Sequence, residues 1–260
     1  MQGLKDKIAI VAGAASGIGA ASAHKLAACG AKVIVADING EGAQATSSAI
    51  AAYGGSALAF RFDVTDEQSV TDLVTFALDH HGRLDGLHYN VADVALTARD
   101  TNILDIDLAL WERMLRVNLT GLFLTMRQCI PHMLKQGGGA IVNTSSAAAF
   151  SGEGSIPAYS SSKAGLNALT RHVASAYGRA GIRCNGIAPG AIPTEGALAV
   201  VDLMGANGKE WYDHIRTNVA HSHRDGKPED IASMVAFLLS DEGSWINGQC
   251  ISIDGGWLFR

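Results

Sequence analysis

Seven short apolar runs recur along the chain: "KIAIVAG" (7–13), "KVIVAD" (32–37), "ALAFRFD" (57–63), "LDGLHYN" (84–90), "GAIVNTSS" (139–146), "IRCNGIAP" (182–189) and "GQCISIDGG" (248–256). Their length and β-branched content predict strands. Between them lie helical stretches such as "GIGAASAHKLAACG" (17–30), "GEGAQATSSAIAAYG" (40–54) and "DEQSVTDLVTFALDHHG" (66–82). Thr65 with Gln68 three residues on predicts a capping box for the last of these. Regular βαβα alternation with continuously apolar strands predicts an α/β fold. The expected architecture is a doubly wound parallel sheet of seven strands with helices on both faces. No second compositional regime and no Pro/Gly linker interrupts the pattern, so a single domain over 1–260 is expected.

Composition narrows this without changing it. The chain has 260 residues, 48% hydrophobic and 17% charged, enough for one well-formed core. A net charge of −5 with no block of like charges argues against nucleic-acid or acidic-membrane partners. Cys29, Cys129, Cys184 and Cys250 lie far apart without C-x-x-C spacing, which predicts reduced thiols. The apolar run near the N-terminus is short and leads straight into a glycine turn, so it reads as a first strand rather than a leader. No 18-residue apolar stretch occurs, and a soluble, cytoplasmic protein is expected. His214, His221 and His223 lack Cys or carboxylate partners at ligand spacing, so no metal site is expected.

The chemistry starts where the first strand enters "AGAASGIGAA". Gly13, Gly17 and Gly19 stand at a strand–helix junction, where helix N-terminal amides can face a pyrophosphate and a Cβ would obstruct it. Asp37 ends the second strand, suited to accept hydrogen bonds from an adenosine ribose and to repel a 2′-phosphate. Ile38 and Asn39 follow it, so no cation waits for that phosphate; NAD is favoured over NADP.

"AYSSSKAG" (158–165) opens a later helix and sets Tyr159 and Lys163 on one face, one turn apart. Bringing a phenol from its usual pKa to about 7 needs about 4 kcal/mol of preferential phenolate stabilisation. One cation at about 4 Å supplies about that much at an effective dielectric of 20. The lysine is thus expected to make the tyrosine a proton carrier. Ser145 and Ser146, just past the strand "AIVNTSS", both offer a hydroxyl that could hold a substrate oxygen beside it.

Taken together, "AGAASGIG" (12–19), Asp37, "FDV" (62–64), "YNVA" (89–92), "VNLTG" (117–121), "NTSS" (143–146), "YSSSK" (159–163) and "PGAIPT" (189–194) stand in the order of the short-chain dehydrogenase/reductase family. The chain resembles that family over nearly its whole length. The resemblance implies a Rossmann-like fold and a catalytic set of Asn118, Ser146, Tyr159 and Lys163. In it Tyr159 is the acid/base, Ser146 rather than Ser145 orients the substrate oxygen, and Asn118 holds a water in the relay from Lys163. It also implies NAD contacts: Gly13, Ser16, Gly17, Ile18 and Gly19 at the pyrophosphate, and Asp37 with Ile38, Asn90, Val91 and Ala92 around the adenosine ribose. Asp63 and Val64 would flank adenine. Pro189, Gly190, Ile192 and Thr194, with Tyr159 and Lys163, would hold the nicotinamide end. Residues 195–225 would form a substrate lid, and the chain would assemble as a homo-oligomer, a tetramer by resemblance.

The sequence departs from the family pattern at three positions. Ala12 replaces a threonine whose hydroxyl ties the turn to the fourth strand. Tyr89 replaces a small amide, and Ala92 a glycine. The activity implied is NAD-dependent interconversion of a hydrophobic secondary alcohol and its ketone, with alicyclic, aromatic or steroid-like substrates in view. The alternative is a non-catalytic NAD(H)-sensing or scaffold protein on the same fold.

Overall fold

In the computed structural model, which describes residues 1–152 and 155–259, the seven apolar runs form seven strands. They are β1 (Ile8–Ala12), β2 (Lys32–Asp37), β3 (Ser56–Arg61), β4 (Gly86–Tyr89), β5 (Gly139–Thr144), β6 (Ile182–Pro189) and β7 (Cys250–Ile253). Every pairing is parallel, in the order β3-β2-β1-β4-β5-β6-β7. Ile10 of β1 sits beside Ile34 on one side and Leu87 on the other. Winding therefore reverses between β1 and β4, and in such sheets ligands bind beyond the carboxyl ends of the strands at that reversal.

Helices cover both faces. The set is α1 (Gly17–Ala28), α2 (Gly40–Ala52), α3 (Glu67–His81), α4 (Leu108–Leu115), α5 (Gly121–Lys135), α6 (Pro157–Tyr177), α7 (Glu195–Leu203), α8 (Gly205–His214) and α9 (Pro228–Leu239). One core packs Leu26 of α1, Ile50 of α2 and Val235 of α9 against Val11, Val33 and Val142 of the sheet. The other packs Leu73 of α3, Leu122 and Met133 of α5 and Leu166 of α6 against Ile10, Ile34 and Leu87. Alternate strand residues thus feed opposite cores. Each fully buried aliphatic side chain contributes about 1.5–3 kcal/mol through its removal from water.

Helix ends follow local chemistry. The capping box expected at Thr65 does not form: Asp66 caps α3, its carboxylate accepting from the Gln68 amide at 3.0 Å. Thr65 instead turns its hydroxyl to Asp63 at 2.7 Å, a shorter bond to a charged partner. Gly82 ends α3 in the left-handed conformation at φ +72°, its amide bonding back to Leu78. Between α4 and α5 the rod carries a π-type turn, Arg116–Thr120, where the Gly121 amide reaches back to the Arg116 carbonyl. No helix among the described residues is long and apolar enough to cross a membrane.

Candidate active site

The β1–α1 turn is shaped by its glycines. Gly13 adopts φ +79°, and a Cβ on it would lie 3.0 Å from the Asn90 backbone. A Cβ on Gly19 would sit 1.9 Å from the Gly13 carbonyl oxygen, which lets α1 pack directly under the turn. At the mouth of α1, Ser16 is extended and makes no side-chain cap, and the first turn holds no acid. Its leading amides are left for an anionic ligand. The tie to the fourth strand, which Ala12 lacks the hydroxyl to make, comes from the other side. Asn90 donates its side-chain amide to the Gly13 carbonyl at 3.1 Å and its backbone amide to the Ala12 carbonyl at 2.9 Å.

At the tip of β2, Asp37 is held by two backbone amides, Ala15 to one oxygen and Asn39 to the other, each at 2.9 Å. Each oxygen of that fixed carboxylate keeps acceptor capacity beyond its one bond, and Asp37 lines the cavity. At Asp63, burial pushes the pKa upward. Hydrogen bonds from the Thr65 hydroxyl and amide, with Arg113 and Arg61 nearby, more than offset it and hold the carboxyl below its ordinary value.

Across the cavity, α6 carries Tyr159 and Lys163 on one face. Lys163 is 1% exposed, and its ammonium donates to the Thr144 carbonyl at 2.8 Å. Burial brings its pKa down to about 7. Its nitrogen stands 5.7 Å from the centre of the Tyr159 ring. The juxtaposition expected from the i, i+4 spacing is present, but the phenol lies above its ordinary pKa. Burial raises it, and a hydrogen bond with Ser146 opposes that only in part. The lowering expected from Lys163 is therefore not the balance struck here: the ammonium is turned to a carbonyl and is itself easily discharged. The Ser146 hydroxyl also accepts from the Ala148 amide at 3.1 Å, which fixes its side chain.

Asn118 sits in the π-type turn, fully buried. Its oxygen accepts from the Asp93 amide at 3.1 Å, and its nitrogen donates to the Ser162 hydroxyl at 3.0 Å. Ser162 in turn donates to the Tyr159 carbonyl at 2.7 Å. Ser162, the third serine of "YSSSK", thus cross-links Asn118 to α6. Tyr89, where the family carries a small amide, donates its buried hydroxyl to the Val117 carbonyl at 2.9 Å, bracing the same turn.

Of the residues expected to be catalytic or to contact the cofactor, all but Gly19 and Asn118 line one cavity of about 560 Å³. Gly19 lies beneath the turn, and Asn118 lies behind α6. The far end of the cavity is walled by Ile156, Val200, Met204, Trp211, Tyr212 and Trp257. Three participants carried no local signal. Thr144 offers a backbone carbonyl. His88, held neutral by burial that takes its pKa to about 3, meets the Thr144 hydroxyl at 2.9 Å. Asp100, 2% exposed, reaches the start of α6 from a distant loop. Among the described residues no three His, Cys, Asp or Glu side chains converge as a metal site would require.

Comparison with known proteins adds the following. A family model described as Enoyl-(Acyl carrier protein) reductase matches residues 13–258. A probable short-chain type dehydrogenase/reductase of Bradyrhizobium diazoefficiens is 44% identical over 254 residues, covering 98% of this chain and 88% of its own. The cis-4-hydroxycyclohexanecarboxylate dehydrogenase of Sinomonas cyclohexanicum is 38% identical over 255 residues, covering 97% and 96%. Among solved structures, a 7α-hydroxysteroid dehydrogenase complexed with NADH and 7-oxo glycochenodeoxycholic acid superposes with a TM-score of 0.88 at 34% identity, covering 97% and 94%.

Proposed function

The chain belongs to the short-chain dehydrogenase/reductase family, and on that premise we propose that it is an NAD-dependent oxidoreductase interconverting a hydrophobic, ring-bearing secondary alcohol and its ketone. What carries the reading is that one cavity is bordered both by the glycine turn with Asp37 and by Ser146, Tyr159 and Lys163. The glycine cradle, the uncapped mouth of α1 and a carboxylate at the tip of β2 with no cation in the two residues that follow it fit NAD. The NADH in the related hydroxysteroid dehydrogenase supports that choice.

In this reading Gly13, Ser16, Gly17 and Ile18 hold the diphosphate, with Gly19 letting the turn close. Asp37, Ile38, Asn90, Val91 and Ala92 hold the adenosine ribose, and Asp63 and Val64 the adenine. Pro189, Gly190, Ile192 and Thr194 hold the nicotinamide end. Bound NAD supplies the hydride-exchanging partner. Tyr159 takes the proton from the substrate hydroxyl during oxidation and returns it to the carbonyl oxygen during reduction. Ser146 donates a hydrogen bond to that same oxygen. Lys163, with a pKa near 7, can carry a proton at neutral pH behind the phenol. Asn118 keeps α6 in register through Ser162.

Residues 195–225 act as the substrate lid: α7, α8 and Met204 between them present Val200, Met204, Trp211 and Tyr212 to the cavity. That apolar and aromatic wall favours a ring substrate, as do the ring alcohols in the names of the two characterised relatives. The protein works as a homo-oligomer, a tetramer by family resemblance.

The test is NADH formation by wild type and Tyr159→Phe side by side, with NAD and a panel of cyclic secondary alcohols. Loss of the general acid/base is expected to lower kcat about 10²–10⁴-fold while NADH still binds. Equal turnover by both proteins would sink the assignment. No turnover by either, with tight NADH binding, would favour the sensor or scaffold alternative.

A further inference from the structure

The start of α6 poses an accounting problem that its own sequence does not solve. A helix leaves its leading amides without internal partners, and a polar residue at the cap position normally satisfies one. Here that position is Ile156, which has no polar side chain. Pro157 has no amide, and the Ser160 amide bonds to the Ile156 carbonyl at 2.9 Å. That leaves the amides of Ala158 and Tyr159.

Both are taken by one carboxylate. Asp100 accepts from Ala158 at 3.2 Å on one oxygen and from Tyr159 at 2.8 Å on the other. Its backbone carbonyl accepts from the Ile156 amide at 3.0 Å. Ile156 adopts φ +58°, ψ +43°, a left-handed conformation that a β-branched residue enters only under constraint. Among the described residues only Asp6 shares a positive φ without being glycine. Ile156 and Tyr159 both line the cavity. The segment before Asp100, the turn Val94–Arg99, contributes Val94 and Thr97 to the same wall.

We propose that Asp100 is a positioning residue for the reaction: its buried carboxylate caps the Tyr159 helix from outside, fixing where the phenol stands and holding the strained Ile156 turn at the substrate wall. A negative charge at a helix N-terminus is favourable, and charge-assisted bonds to buried amides are short and strong. The bonded amide is that of Tyr159 itself, so a shift at this cap moves the acid/base directly. A misplacement of about 1 Å can lower turnover about 10²-fold. The inference rests on the reading of Tyr159 as acid/base.

The experiment compares wild type, Asp100→Asn and Asp100→Ala for kcat, KM for the alcohol and NADH affinity, well below each protein's Tm. Asp100→Asn keeps the size and one acceptor oxygen, so it reports even where Asp100→Ala folds poorly. The expected result is a kcat at least tenfold lower in Asp100→Asn, lower still in Asp100→Ala, with NADH affinity within twofold of wild type. An unchanged kcat in Asp100→Asn would overturn the proposal. So would a parallel loss of kcat and NADH affinity, which marks general loosening. Tyr159→Phe is measured alongside: wild-type turnover in that variant would overturn the acid/base reading on which the proposal rests, whereas collapse in Tyr159→Phe with an unchanged kcat in Asp100→Asn would overturn the proposal alone.

Discussion

Two helix N-termini face the same cavity, and they are finished in opposite ways. At α1 the cap residue Ser16 makes no side-chain bond, no acid stands in the first turn, and glycines clear the approach. At α6 the amides are filled by a buried carboxylate from a loop more than fifty residues earlier in the chain. The same unsatisfied backbone groups therefore serve two purposes. Left open, they make a place for a ligand's negative charge. Filled from within, they lock a helix so that one side chain is held still. The first end is suited to binding, the second to positioning.

The largest expected way to break the contrast is Gly19→Ala. Its Cβ would meet the Gly13 carbonyl at 1.9 Å, so the turn must deform. At about 3 kcal/mol for such overpacking, NADH affinity is expected to fall about a hundredfold in a fluorescence titration. Affinity within a fewfold of wild type would mean that the turn does not hold the cofactor.

Lys163→Met probes the closed end without ligand. The Lys163 pKa is depressed from 10.5 to about 7 by burial. Below about pH 7 the ammonium is charged whether the chain is folded or unfolded, and its burial penalty is fully present. Above about pH 10.5 it is neutral in both states, and the penalty is gone. Wild-type stability contributed by this site therefore rises between those limits. Lys163→Met is expected to raise the Tm of the free protein most at pH 7 and below, with the gain fading toward pH 10.5. A pH-independent difference in Tm would contradict a buried, depressed lysine.

The smallest effect sharpens the open end. Asp37→Asn removes the charge that repels a 2′-phosphate while keeping one acceptor oxygen. The ratio of NADH to NADPH affinity is expected to drop about tenfold, the scale of one charge-assisted hydrogen bond. An unchanged ratio would place cofactor selection elsewhere.

The contrast also marks what the sequence could reveal. Strands β1 to β7 were legible because a short, continuously apolar, β-branched run is a local signal, and the open end because its glycines and Asp37 lie within 25 residues of each other. Tyr159 and Lys163 were legible from helical spacing; the place after β5 offered Ser145 and Ser146 alike, and only the family resemblance selected Ser146. Asp100 was not, because its role depends on a fold that brings "TARDTN" against Pro157. Nor was the bond from the Asn90 side chain to the Gly13 carbonyl, which joins the turn after β1 to the residue after β4. Thr65 misled for a local reason: Asp66, next to it, is the stronger cap. The expected effect of Lys163 on Tyr159 failed because spacing fixes which residues are neighbours but not which carbonyl an ammonium chooses.

The most direct test of the division between the two helix ends is a single NADH titration across wild type, Gly19→Ala and Asp100→Asn. The account predicts about a hundredfold weaker binding for Gly19→Ala and wild-type binding, within twofold, for Asp100→Asn. Comparable losses in both variants, or none in either, would contradict it.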